Sequence, residues 1–154
     1  MYKRQIVHGD QIFIYYGGQN YRASEQFDKL YEERGDDGPT GGIGLAVVPR
    51  DGFVSLDGGN AGCVTSKPFV WKGEELYVTV DARWGELYTE IVDMNMRPVP
   101  GFWVPAETPP PLRGDHTRAR IEWKPDHDRV FDEPVRVRFY LHQARLYSFW
   151  LEAG

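Results

Sequence analysis

The sequence predicts an all-β protein: an antiparallel β-sandwich preceded by one strand that stands apart from it. Three observations carry this. Short runs rich in β-branched and aromatic residues recur between Gly, Asp, Asn and Pro turns at intervals of roughly eight to twelve residues, the spacing of a sandwich or barrel. Val135, Val137, Phe139 and Leu141 alternate with Arg136, Arg138, Tyr140 and His142, which marks a strand with one buried and one wet face. No long helical periodicity, internal repeat or heptad pattern competes with that reading.

The first strand falls at residues 11–18, Gln-Ile-Phe-Ile-Tyr-Tyr-Gly-Gly, a pleat-favouring run that stops on two glycines. It is expected to be an orphan, because nothing before it reads as a partner strand. Residues 19–42 are polar and glycine-rich and read as a linker loop, with helical spacing only at Phe27, Leu30 and Tyr31. From residue 43 to residue 152 the period is two, and this stretch is the expected sandwich. Its strands are predicted over 43–48, 53–56, 62–69, 76–82, 85–93, 119–123, 135–141 and 146–151. The last two flank His142-Gln143-Ala144-Arg145 and read as a hairpin. Residues 98–111 hold six prolines and cannot form a central strand.

Composition excludes several classes. The chain has 154 residues, 41% hydrophobic and 27% charged, enough for one domain with a real core. Its formal net charge of −5 leaves no basic stripe for phosphates, so no nucleic-acid partner is expected. No apolar run approaches the roughly 18 residues of a membrane-spanning helix, so no membrane partner is expected either. Cys63 is the single cysteine, which rules out an intrachain disulfide.

Candidate chemistry is sparse. The acidic pairs Asp36-Asp37, Glu74-Glu75 and Asp132-Glu133 are sequence neighbours, and neighbours in a strand point to opposite faces rather than across a cleft. Asp126-His127-Asp128 lacks a second His at metal-ligand spacing, and Arg113-Gly114-Asp115 is explained by its proline-rich loop. Gly41-Gly42-Ile43-Gly44 precedes a strand and offers no helix terminus to an anion. No cofactor and no metal are therefore implied, and no catalytic residue is nominated. Trp71, Trp84 and Trp103 lie near turns, where an exposed ring stacks on a sugar face, although Trp also caps sandwich cores. Trp123 and Trp150 lie within strands and are expected in the core.

The motif Ile12-Phe13-Ile14-Tyr15-Tyr16-Gly17-Gly18 resembles the last-blade strand of five-bladed β-propeller glycosidases, with Asn20 where a related acid would fall. The runs Arg50-Asp51-Gly52-Phe53-Val54-Ser55 and Ala144-Arg145-Leu146-Tyr147-Ser148-Phe149-Trp150 resemble the C-terminal sandwich of family 32-like glycoside hydrolases. That resemblance implies a jelly-roll or concanavalin-like sandwich, with residues 6–18 as the last strand of a truncated propeller. The propeller, missing from the N-terminal side, would be its partner. Met1–Gln5 is similar to read-through of a sequencing adapter, so these residues are expected to be non-native. Tyr16 and Asn20 are expected near the propeller's central pocket, while the propeller's own catalytic carboxylates match no position here.

The expected function is therefore a non-catalytic accessory fragment that packs against and stabilises the propeller of a glycosidase-like hydrolase. The alternative is a lectin-like carbohydrate-binding module that uses Trp71, Trp84 and Trp103.

Overall fold

The computed structural model describes residues 5–19, 41–102, 110–123 and 130–153. The described residues are all-β and antiparallel, and they fall into two compact units that divide between Arg50 and Asp51.

The first unit is a three-stranded sheet in the order β1 (Gln5–His8), β2 (Gln11–Gln19), β3 (Gly41–Pro49). The strand expected to be an orphan is its centre. Gly9, at φ 59°, turns the chain so that Ile6 faces Phe13 and Val7 faces Ile12. On the other edge Ile12 pairs with Val48 and Tyr16 with Gly44, which moves residues 43–48 out of the sandwich and into this sheet. Gln5–His8 escaped notice because four residues show too little alternation to be read. Most of the expected linker, residues 20–40, lies outside the described residues.

The second unit holds a six-stranded sheet built on β6 (Glu75–Val92), whose 18 residues merge the separate strands expected at 76–82 and 85–93. One long segment runs antiparallel beside it. β8 (Arg136–His142) pairs with its second half and β9 (Arg145–Glu152) with its first. The last two strands are therefore no hairpin. Gln143, at φ 46°, kinks the segment without reversing it, because the link carries none of the Gly-based chemistry that a tight reversal needs. β5 (Gly62–Thr65) adds to β8, and β4 (Leu56–Asp57) adds to β9. β7 (Leu112–Arg120) lies on the free side of β6, upstream of the strand expected at 119–123. Arg113-Gly114-Asp115 is consequently strand, not loop.

β6 changes direction at its centre. Inward residues are even-numbered before the register break (Leu76, Val78, Val80, Ala82) and odd-numbered after it (Leu87, Ile91). One hydrophobic cluster takes both sets together with Val137, Phe139, Leu141 and Leu146. A strand that serves two layers through a bend is how orthogonally packed sheets form their corners, and the unit is sandwich-like in this sense. Phe69, Trp71, Phe102, Trp123 and Phe131 extend the core as a chain of ring contacts 5.4 to 6.0 Å apart.

Candidate functional site

The tryptophans nominated from sequence separate sharply. Trp71 is fully buried, and its indole N–H donates to the Glu74 carbonyl at 2.8 Å, so it is core and offers no sugar platform. Its flanking glycine and acidic residues mimicked an exposed turn, yet Trp71 faces Phe69 and Phe131. Trp84 is 83% exposed. Trp103 and Asn20 lie outside the described residues, as do Asp36-Asp37 and Asp126-His127-Asp128. Of the two tryptophans expected in the core, Trp123 is buried there and Trp150 stacks on Tyr77 at 5.7 Å, half-buried.

Tyr16 is 46% exposed on β2. Its ring covers Gly44 on the neighbouring strand so closely that a Cβ there would stand 2.4 Å from the tyrosine Cζ. A ring laid over a strand glycine fills the missing side chain's place, which accounts for this pairing without a ligand. Tyr16 and Trp84 belong to different units.

The side chains that surround the β6 bend form a polar constellation near the exposed Trp84, and it is the candidate site. Gly85 makes the bend. A Cβ there would lie 1.8 Å from the His142 carbonyl oxygen, so the backbone packs directly on the β8–β9 link. The turn after β4 closes onto the same link, with Gly58 N–H donating to Ala144 O at 3.0 Å and Gln143 N–H to Gly59 O at 2.6 Å. Trp84 projects from this anchored corner, and no hydrogen bond or ring contact among the described residues engages its indole.

Charged residues accompany it in alternating sign. Arg83 grips Asp81 with two side-chain hydrogen bonds, Nε to Oδ1 at 2.9 Å and Nη2 to Oδ2 at 2.7 Å, and lies 3.9 Å from Asp115. Arg145 donates to Asp57 at 3.1 Å from the adjoining strand. The Arg83 hydrogen bond holds the Asp81 carboxyl below its usual range, and Asp81 in turn raises the guanidinium. Asp57 is lowered first by the Gly59 N–H and then by Arg145. The lowered Asp57 and Asp81 carboxylates thus stay ionised at neutral pH, which suits hydrogen bonding and not proton transfer.

Sequence reasoning nominated Trp84 as a site residue and did not nominate Arg83, Asp81, Asp115, Arg145 or Asp57. Their signal is topological. Asp81 faces Arg145 on one side and Asp115 on the other only through the strand register.

The other acidic pairs are accounted for. Glu74 accepts from Lys72 N–H at 2.8 Å, Glu75 pairs with Arg120 at 3.0 Å, and Asp132 and Glu133 are exposed. No cluster of metal-binding side chains occurs among the described residues. In the same residues, no helix is long and apolar enough to cross a membrane. Compared with known proteins, the chain matches no protein-family model, no curated protein and no solved structure.

Proposed function

We propose that this chain is a non-catalytic β-sandwich region of a glycoside-hydrolase-like protein, and that its three-stranded sheet belongs to a propeller which the sandwich stabilises. The observation that supports this reading is that the small sheet is apolar on both faces. Val7, Ile12, Ile14, Tyr16, Ala46 and Val48 share one face, and Ile6, Phe13, Tyr15, Ile43, Leu45 and Val47 share the other. On the second face Ile43 is 85% exposed, and Ile6, Tyr15, Leu45 and Val47 are each about half exposed.

Large contiguous apolar faces are rarely left open on isolated monomers and mark surfaces that another element covers. A three-strand sheet with two apolar faces is a middle layer. Propeller blades are layers of this kind, covered on each side by a neighbouring blade.

Two measurements test the reading. Incubated with glycan substrates, the purified chain releases no reducing sugar, and measurable turnover removes the non-catalytic assignment. In an extended protein that carries a propeller on the N-terminal side of this chain, binding of a hydrophobic dye should fall relative to this chain. Equal dye binding in the extended protein would mean that the exposed face is not a blade contact.

A further inference from the structure

We infer that Asp51 is a site of covalent self-modification in the folded chain, where the Gly52 backbone nitrogen closes a succinimide on the Asp51 side chain and hydrolysis leaves isoaspartate. The inference is independent of the accessory role proposed above, because it uses only the chain's own main-chain chemistry.

An aspartate followed by glycine is the sequence in which this reaction is least hindered, since glycine has no side chain to obstruct its nitrogen. The dipeptide occurs three times, as Asp37-Gly38, Asp51-Gly52 and Asp57-Gly58. Asp37-Gly38 lies outside the described residues. The other two aspartates are both exposed, so accessibility does not separate them. Their engagement does.

Asp57 is held fast. Its Oδ1 accepts from Gly59 N–H at 2.9 Å and its Oδ2 from Arg145 Nε at 3.1 Å. Gly58 N–H, the group that would attack, donates to Ala144 O at 3.0 Å. Gly58 also packs so closely on Leu141 that no side chain would fit, and its peptide has no room to swing toward the carboxyl. The Gly59 and Arg145 hydrogen bonds keep the Asp57 carboxyl below its usual range, which depletes the protonated form whose hydroxyl can leave as water.

Asp51 has none of these restraints. No hydrogen bond or ion pair among the described residues engages its carboxyl or the Gly52 N–H. The pair lies after β3 ends at Pro49 and before β4 begins at Leu56, so no strand pairing resists rotation there. Asp51 also sits at φ 60°, a conformation that costs any residue with a Cβ and that a lengthened main chain no longer imposes.

The chemistry balances without a co-reactant. The Gly52 nitrogen bonds to Asp51 Cγ, the Cγ–OH bond breaks, and the nitrogen's proton leaves with that hydroxyl as water. Water then adds to the former main-chain carbonyl of Asp51 and breaks its bond to the Gly52 nitrogen. The main chain afterwards runs through Cβ and Cγ. Addition at the other ring carbonyl restores aspartate.

The intact chain is incubated for several weeks at about pH 5, where ordinary aspartates keep a protonated fraction. A parallel sample is held in guanidinium chloride. Endoproteinase Asp-N, which cuts before aspartate and not before isoaspartate, then reads each position by mass spectrometry. In the folded chain, cleavage before Asp51 should be lost at least about tenfold faster than cleavage before Asp57. The whole-chain mass should stay constant apart from a transient species lighter by one water. In guanidinium chloride the two rates should converge, because the contacts that guard Asp57 are gone. The proposal is overturned if cleavage before Asp51 persists in the folded chain, or if Asp57 converts there as fast. It is equally overturned if the ratio of the two rates is the same in denaturant, since the fold would then play no part.

Discussion

Glu90 lies on the face of β6 opposite Leu87 and Ile91, where the alternating pattern anticipates solvent, yet only 2% of it is exposed. Its Oε1 accepts from Arg138 Nη1 and from the Tyr140 hydroxyl, both at 2.7 Å, so one carboxylate oxygen binds two neighbours on β8. Arg138 also reaches Met96 O, which ties the turn after β6 to the sheet. Removing one partner of a buried ion pair leaves the other charge stranded, and that costs more than the pair ever contributed. Arg138→Met should therefore destabilise the chain by about 3–5 kcal/mol in urea unfolding, and adding Glu90→Met should recover most of the loss. Tyr140→Phe deletes the hydrogen bond donated to Glu90 and the longer one accepted from Arg138 Nη1, and should cost about 1.5–3 kcal/mol. A double variant whose loss equals the sum of the losses in Arg138→Met and Glu90→Met alone would show that the pair is not energetically coupled. The wet face of β8 was legible in Arg136, Arg138 and Tyr140. Its conversion into a covered network was not, because the partner sits 48 residues away in sequence.

β6 shows how much of an element a local pattern reveals. Its two halves were plain from Leu76, Val78 and Val80 and from Leu87 and Ile91, but Arg83-Trp84-Gly85 reads as a turn and hides their continuity. The parity switch that aims both halves into one core cannot be seen until the register is known. β7 was missed for the opposite reason. Leu112–Arg120 carries polar or small residues throughout its interior and is a strand because β6 offers it an edge. Gly85 is the hinge of this arrangement, and its requirement is steric: a methyl group would meet the backbone carbonyls of His142 and Gln143, which cannot rotate away. Gly85→Ala should lower stability by about 1–3 kcal/mol, whereas Val54→Ala, at a side chain 77% exposed, should change it by less than about 0.5 kcal/mol. Parallel urea titrations compare the two. Matching midpoints for Gly85→Ala and the parent would mean that the bend relaxes without cost.

At the scale of the whole molecule, titration links the surface pairs and the covered tyrosines in one measurable curve. Asp57, Asp81, Glu74 and Glu86 are all held below their ordinary values of 3.8 and 4.5. The leading causes are the Gly59 N–H for Asp57, the Arg83 side chain for Asp81, backbone N–H groups for Glu74 and the Arg113 side chain for Glu86. Groups lowered in the fold contribute stability that is present above those ordinary values and is lost as pH falls through the depressed ones. Tyr88 and Tyr140 are pushed above their ordinary 10.0, in both cases first by burial. Their contribution is complete below that value and is lost as pH rises through the raised one. Stability should thus be flat between about pH 6 and 9 and decline on both sides. The two limbs have different owners, which makes the curve diagnostic. Added salt should weaken only the part of the acid limb that comes from the Arg83–Asp81 and Arg113–Glu86 pairs, whose guanidinium sides are exposed and screened within about 10 Å at 0.1 M. It should spare the part set by backbone N–H groups on Asp57 and Glu74. Tyr140→Phe should make the alkaline limb shallower and leave the acid limb unchanged, since a phenylalanine has no proton to lose. Urea midpoints taken across the range, with and without salt, separate the cases. An alkaline limb of the same steepness in Tyr140→Phe would mean that burial of this hydroxyl does not govern how the sandwich unit fails at high pH.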